Sequence, residues 1–276
     1  MARPSTVSVI ISTYNEPQWL EKVIWGFSVQ TIQDFELVIA DDGSGQETKE
    51  TISRLKGQTG LRLRHVWHED KGYQKCMILN KAVASQKSEY LIFTDGDCIP
   101  RKDFIEMHLE NAEEGYFLSG GTVRLPLELS KFITKEHIVS QTCFNKDWLL
   151  NHGLDPNFWK NLKLTRSIDL AKTLNRLTTA RSTWNGGNAS GWRKDIISAN
   201  GFNEDLKYGG QDREFGLRMN NMGVRSKQLR FSAICLHLDH ERSYKTEEAI
   251  LQNLIHRKKV VRERITKIDQ GLDKYL

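Results

Sequence analysis

The sequence predicts an α/β domain in which helices cover both faces of a mostly parallel sheet. Three observations predict it. Runs rich in β-branched and aromatic residues at 7–12, 35–40, 61–67 and 90–94 alternate with amphipathic stretches at 18–29, 47–56 and 73–84. Three of those runs stop on turn chemistry, at Thr13-Tyr-Asn-Glu-Pro17, Asp41-Asp42-Gly43-Ser44 and Asp95-Gly96-Asp97. Strands alternating with helices pair in parallel through right-handed crossovers, and the carboxyl ends of such strands form the edge where ligands bind.

The second half is taken in the same way. A strand is expected at 117–123, where Gly120 and Gly121 mark either a weak point or a close backbone approach. Residues 125–183 read as a helical insertion beside the binding edge, able to carry acceptor recognition. In it Leu162, Ile168, Leu170, Leu174 and Leu177 could line a helix face, and Trp148, His152 and Trp159 are expected in the core. In Trp184-Asn-Gly-Gly-Asn-Ala-Ser-Gly-Trp192, Gly186 and Gly187 suit backbone lying against a bulky ligand, or only a turn. A helix then stops at Asn200-Gly201, and 207–214 leads into another, with Asp212 in its first turn and Phe215, Leu217 or Arg218, and Met222 facing inward. A last strand is expected at 233–238.

Residues 247–272 carry Leu251, Leu254, Val261, Ile265, Ile268 and Leu272 at spacings of three and four interrupted by Lys258, the pattern of a long amphipathic helix. Its Arg257, Lys258, Lys259, Arg262 and Arg264 leave three uses open: peripheral contact with a membrane surface, pairing in a homodimer, or docking on its own domain.

Composition narrows the function. At 276 residues the chain can bury one large α/β core with an elaborated end. A net charge of +5 favours anionic partners, so a polyanion-binding module is one reading, but the scattered Lys and Arg form no nucleic-acid motif and nucleic acid is not expected. Neither G-x-G-x-x-G after the first strand nor G-x-x-x-x-G-K-[ST] occurs, so a nucleotide would be held by carboxylates, a metal and loop side chains. Cys76, Cys98, Cys143 and Cys235 form no C-x-x-C pair, no run approaches the roughly 20 apolar residues of a membrane span, and the opening residues lack a secretory core. These features lead to the expectation of a cytoplasmic protein, able to work at the inner face of a membrane.

The chemistry-bearing residues gather at the strand ends. Asp95 and Asp97 flank Gly96, which lets the chain turn so that both carboxylates address one point; hard oxygen ligands of this kind suit Mg²⁺ or Mn²⁺. An ordinary Asp-Gly turn is the alternative. Asp41 and Asp42 read either as a turn with a helix cap or as polar groups of the crevice. His237 and His240, spaced H-x-x-H, either add imidazoles to a carboxylate-held metal or are structural. Asp212 is either a carboxylate placed by a helix dipole or a functional base.

Taken together, Val-Ser-Val-Ile-Ile-Ser-Thr-Tyr-Asn-Glu (7–16), Ile-Ala-Asp-Asp-Gly-Ser (39–44), Thr-Asp-Gly-Asp (94–97) and Gly-Gly-Gln-Asp (209–212) resemble the family 2 glycosyltransferases of GT-A fold. Gly-Gly-Asn (186–188), Gly-Phe-Asn-Glu (201–204) and His-Leu-Asp-His-Glu-Arg (237–242) are similar to the carboxy-terminal region of β-1,4-galactosyltransferases and chondroitin polymerases. Asp-Lys-Gly-Tyr-Gln-Lys-Cys (70–76) resembles the latter as well. The resemblance implies a GT-A domain over 1–243 and a C-terminal helix over 244–276. It also implies that Thr13, Tyr14, Glu16, Asp41 and Asp42 hold the nucleoside, that Gly72, Gln74 and Asn80 approach the base or diphosphate, and that Asp95 reaches the ribose or sugar. Gly187 and Asn188 would border the donor sugar, Asp97 and His240, with His237, would hold Mn²⁺ or Mg²⁺, and Asp212 would be the catalytic base. Trp184 and Gln211 would meet the acceptor. Leu79 stands where many relatives have Arg, and Gln211 where galactosyltransferases often have Glu, so acceptor preference does not carry over.

The implied activity is inverting transfer of a sugar from a nucleotide diphosphate, UDP foremost, to a hydroxyl of a glycan or lipid-linked glycan. A nucleotidyltransferase acting on a sugar phosphate is the nearest rival, since a similar sheet and metal can serve attack at phosphorus.

Overall fold

The computed structural model describes residues 3–240 and 246–276, so the expected boundary at 243/244 lies outside the described residues. Eight strands form one sheet: β1 (Val7–Thr13), β2 (Glu36–Asp41), β3 (Arg62–Trp67), β4 (Tyr90–Asp95), β5 (Cys98–Pro100), β6 (Tyr116–Arg124), β7 (Asn188–Trp192) and β8 (Arg225–His237). Their spatial order is β3-β2-β1-β4-β7-β6-β8-β5. The first four are parallel, as expected; β7 then runs antiparallel to β4 and β6, β8 parallel to β6, and β5 antiparallel to β8.

Alternation explains why β1 is buried on both faces. Val7, Val9 and Ile11 enter one core layer with Leu20, Val23 and Ile24 of the helix Pro17–Ser28, while Ile10 enters the other. That second layer holds Ile78, Leu79 and Val83 of the helix Lys75–Ala84 together with Phe215 and Met219 of the helix Gln211–Asn221. A strand covered on both faces has no exposed side, hence the mostly apolar run, and its buried Ser8 and Ser12 are hydrogen-bonded to Gln86 and Asp95.

Four expectations are corrected. β7, Asn-Ala-Ser-Gly-Trp, was not foreseen because it lacks the usual strand residues; it pairs because the Trp184 ring covers Gly191, 3.3 Å from where a Cβ would stand. β8 begins at Arg225 rather than 233, and its pairing with β6 shifts register at Gly120/Gly121, where a Cβ on Gly121 would lie 2.0 Å from the Arg230 carbonyl. In the insertion, Trp159 is 76% exposed, and Trp148 is only part-buried, stacked on His152 at 4.3 Å. The last helix is Glu247–Arg262, not 247–272, because the chain turns at Arg264 (φ +52°). Leu272 then returns to the core, with Asn200 donating to the Ile268 carbonyl at 2.7 Å and accepting from the Asp273 N–H at 2.8 Å.

Of the three uses open for that helix, docking on its own domain is observed. Val260 is buried, and Asn221 donates to the carbonyls of Val260 and Ile265 at 3.0 and 2.8 Å. Beneath it, the fully buried Glu214 and Arg218 pair at 2.8 Å, and Arg218 also donates to the Gly201 carbonyl at 2.7 Å. Removing one partner of such a pair strands the other charge. Arg218→Met should therefore cost about 3–5 kcal/mol in chemical denaturation; a loss below about 1 kcal/mol, the range of exposed pairs, would contradict this role.

Candidate active site

The parallel strands deliver their carboxyl ends to one edge. Asp41 closes β2 fully buried; its Oδ1 accepts from the Ser44 N–H at 2.8 Å and its Oδ2 meets His65 Nε2 at 2.8 Å, so it pins the loop. Asp42 faces the crevice, with Oδ1 2.7 Å from His68 Nε2 and Oδ2 accepting from the Gln74 N–H at 2.9 Å. Burial pushes its carboxyl upward, against the lowering effect of both partners. Tyr14 donates to Asp70 at 2.8 Å, which holds the phenol above its usual pKa, and Asp70 in turn accepts from the N–H of Gly72, whose φ of +81° suits glycine. The buried Thr13 Oγ1 finds no partner among the described residues.

In the middle, Asp95 Oδ1 accepts from Ser12 Oγ and from Lys75 Nζ, both at 2.6 Å. Desolvation alone would lower the Lys75 ammonium, but the Asp95 carboxylate holds it well above the usual lysine value. Gly187 passes so close that a Cβ would lie 3.1 Å from Asp95 Oδ2. Gly96 donates to the Ser12 carbonyl at 2.8 Å and turns the chain toward Asp97.

Asp97 Oδ2 lies 2.9 Å from His240 Nε2 and 3.5 Å from His237 Nε2, and one donor atom from each residue falls within 4.8 Å of the others. Desolvation would raise this carboxyl; the His240 hydrogen bond and the two imidazoles hold it at about 2. Glu16, lifted by burial, senses Asp97 and His240 across the same space. One carboxylate and two imidazoles, with further carboxylates at hand, fit a divalent cation.

Asp212 stands beyond Asp95. Gly209 and Gly210, at φ +116° and +96°, swing the chain into the helix Gln211–Asn221. Asp212 Oδ2 then accepts from the Gly186 N–H at 3.2 Å, and Oδ1 from the Arg213 N–H at 2.8 Å. Gln211 donates to Tyr73 Oη at 2.8 Å. From the C-terminal helix, Asn253 donates to the Lys207 carbonyl at 2.8 Å and Ile250 packs where a Gly209 side chain would be.

Two adjoining hollows of about 570 and 730 Å³ share Ser12, Lys75, Asp95, Tyr208 and His237, so they form one crevice. Thr13, Tyr14, Glu16, Asp42, Gly72, Asp97 and His240 line the first; Trp184, Gly187, Gln211 and Asp212 line the second. A further hollow of about 780 Å³ beside the insertion meets the second of these only at Gln228.

Four expected contacts are corrected. Asn80 is buried, donating to the Phe202 carbonyl and Glu204 and accepting from the Phe202 N–H, so its amide ties a helix to a loop. Asn188 is buried too, donating to the Gly121 and Ala233 carbonyls with His108 on its oxygen. Gln74 contributes its backbone N–H to Asp42, and its side chain is not among the lining. Trp184, although at the wall, is packed among Phe93, Phe117 and Phe215. Lys75, Tyr73 and Tyr208 were missed; Lys75 lies inside the 70–76 motif, and its place at a helix start on the strand-end edge was the available signal.

Comparison with known proteins gives the fold and the family. The chain is 26% identical over 226 residues to a chondroitin synthase of Escherichia coli, covering 79% of this chain and 32% of that protein. It is 24% identical over 228 residues to validoxylamine A glucosyltransferase of Streptomyces hygroscopicus subsp. jinggangensis, covering 79% and 52%. The chain thus spans about a third to a half of these relatives. Among solved structures, Staphylococcus aureus TarS 1–349 in complex with UDP-GlcNAc superposes with TM-score 0.63 at 15% identity over 98% of this chain and 69% of that one. The mannosyltransferase PcManGT of Pyrobaculum calidifontis, in complex with GDP-Man and Mn²⁺, gives 0.59 at 21% over 88% and 59%. These likenesses give the fold, which is GT-A. The model of "Glycosyl transferase family 2" matches residues 8–177, more than half of the chain and the whole run from β1 through the Asp95-Gly96-Asp97 turn, and the chain belongs to that family.

Proposed function

We propose that this chain transfers a sugar from a nucleotide diphosphate donor, with UDP as the nucleotide, to a hydroxyl of a glycan or lipid-linked glycan, inverting the anomeric centre. One observation carries the reading: the Asp97–His237–His240 cluster and Asp212 belong to the two parts of a single crevice, joined at Asp95. The nucleotide sugars bound to the two structural neighbours support it.

The donor's nucleoside end fits the hollow of Thr13, Tyr14 and Asp42. There the orphan Thr13 hydroxyl offers a hydrogen bond and Asp42 can accept from an imide N–H of the base. Mn²⁺ or Mg²⁺ held by Asp97 with His237 and His240 would supply Lewis-acid stabilisation of the departing diphosphate. Lys75, charged by its contact with Asp95, adds a cation on the same wall. Gly187 leaves room beside Asp95 for the donor sugar. In the step itself the bond from the anomeric carbon to the phosphate oxygen breaks and the diphosphate keeps the electron pair. The acceptor oxygen bonds to that carbon from the opposite face, and its proton passes to Asp212, whose Oδ2 is steered by the Gly186 N–H.

Three outcomes are expected. Asp212→Asn should lower transfer by about 10²- to 10⁴-fold while nucleotide binding stays, and undiminished turnover would remove Asp212 from the reaction. In calorimetry, Asp97→Ala should abolish the Mn²⁺-dependent part of UDP binding; identical titrations with and without the substitution would reject the metal assignment. Gly187→Ala puts a methyl 3.1 Å from Asp95 Oδ2 and should cut transfer by about 10²-fold with the circular dichroism spectrum retained. A rate near that of the unaltered chain would show that the approach is not needed. Release of pyrophosphate from a nucleoside triphosphate at equal rates by the chain and its Asp212→Asn variant would favour nucleotidyl transfer instead.

A further inference from the structure

The crevice is divided by charge. The part with the Asp97 cluster is lined by Glu16, Asp42, Asp95 and Asp97, with Lys75 and the histidines as its basic groups. The part around Asp212 reverses this: Arg124, Lys163, Arg181, Arg213, Arg230 and Arg257 join Lys75, against Asp95 and Asp212. These six arrive from β6, two separate points of the insertion, the helix Gln211–Asn221, the β8 bulge and the C-terminal helix. Sequence-remote elements have thus converged on one sign of charge.

The collar lacks internal neutralisation. Outer-surface cations such as Arg54, Arg62, Arg64 and Lys194 pair with Glu21, Asp34, Glu36 and Glu114. Among the described residues no carboxylate lies within 4.0 Å of any of the six. Arg257 Nε is buried without a hydrogen-bond partner, its guanidinium carbon 3.1 Å from where a Gly210 Cβ would stand. Lys163 is spent partly on the Thr122 carbonyl at 2.7 Å, and burial, then the charges of Arg230 and Arg124, lower its pKa to about 8. Like charges gathered around a cleft without counter-charge leave the counter-charge to the ligand, and the guanidinium fork matches carboxylate and phosphate oxygens. The donor diphosphate has its own partners at the Asp97 end, so the surplus lies on the side where the acceptor must approach Asp212.

We infer that the acceptor is an anionic glycan, whose carboxylate or phosphate-ester groups lie against this basic collar while its accepting hydroxyl faces Asp212. The inference rests on the glycosyl-transfer reading above. Three probes test it on the full chain: an oligosaccharide of alternating hexuronate and N-acetylhexosamine, the same compound with its carboxylates reduced to alcohols, and a phosphodiester-linked polyol oligomer. UDP with Mn²⁺ is titrated in parallel. The variant carries Arg124→Gln and Arg213→Gln together, both on exposed side chains. At least one anionic probe should bind about tenfold or more tightly than the neutral one and lose about tenfold or more in the variant, with UDP affinity unchanged. Preference for the hexuronate or for the phosphodiester identifies which anion the collar takes. Equal binding of charged and neutral probes, or a variant that loses UDP instead, would overturn the inference, the latter by assigning the collar to the donor. Failure of the unaltered chain to bind UDP with Mn²⁺ would strike the transfer reading itself, and the inference with it.

Discussion

The structure depends on the parallel register of β2, β1 and β4. Thr13 stands beside Asp41 and Ser12 beside Asp95, so three loops leave the sheet at one height. Carboxylates from Asp41 to Asp97 crowd that edge, and like charges in a part-buried space repel unless each has a partner. Each has one: His65 for Asp41, His68 for Asp42, Lys75 for Asp95, and His240 with His237 for Asp97. A slip of one residue would reverse every side chain and dissolve these pairs.

The far side of the crevice is held differently. Asp212 starts a helix whose entry, Gly209-Gly210, runs at positive φ. The C-terminal helix clamps it, through Asn253 on the Lys207 carbonyl and Ile250 over Gly209, while Glu214 takes both Arg218 and His256. This explains how a segment that looks like an appendage in the sequence is part of the site. Its exposed Leu251, Leu254 and Ile255 lie on the outer face.

The parallel half was legible because doubly covered strands are mostly apolar, and because turn residues after them point to one edge; Asp42, Asp95 and Asp97 followed from that placement, whereas His240 and Asp212 came from the family resemblance. The antiparallel half was less so. β7 has the composition of a loop; Trp184, just before it, covers Gly191, and Asn188 bonds to the Gly121 and Ala233 carbonyls far away in the chain. Asn80 and Asn188 show the limit from the other direction: a polar residue in a motif looks like a ligand contact, whereas its actual partners, Phe202 and Ala233, lie far along the sequence. Helix length failed at Arg264 for a similar reason, since Ile265, Ile268 and Leu272 keep helical spacing while packing in a returning strap.

Polarity of charge along one crevice unites these features, with acidic groups around Asp97 and basic groups around Asp212. The most direct measurement is anomalous diffraction at the manganese edge from crystals grown with Mn²⁺ and a UDP-sugar. The expected map has a manganese peak bonded to Asp97 and at least one of His237 and His240, with the sugar lying between that peak and the Asp212 carboxylate. A peak on other side chains, or a donor whose sugar points away from Asp212, would contradict the arrangement on which the proposed chemistry stands.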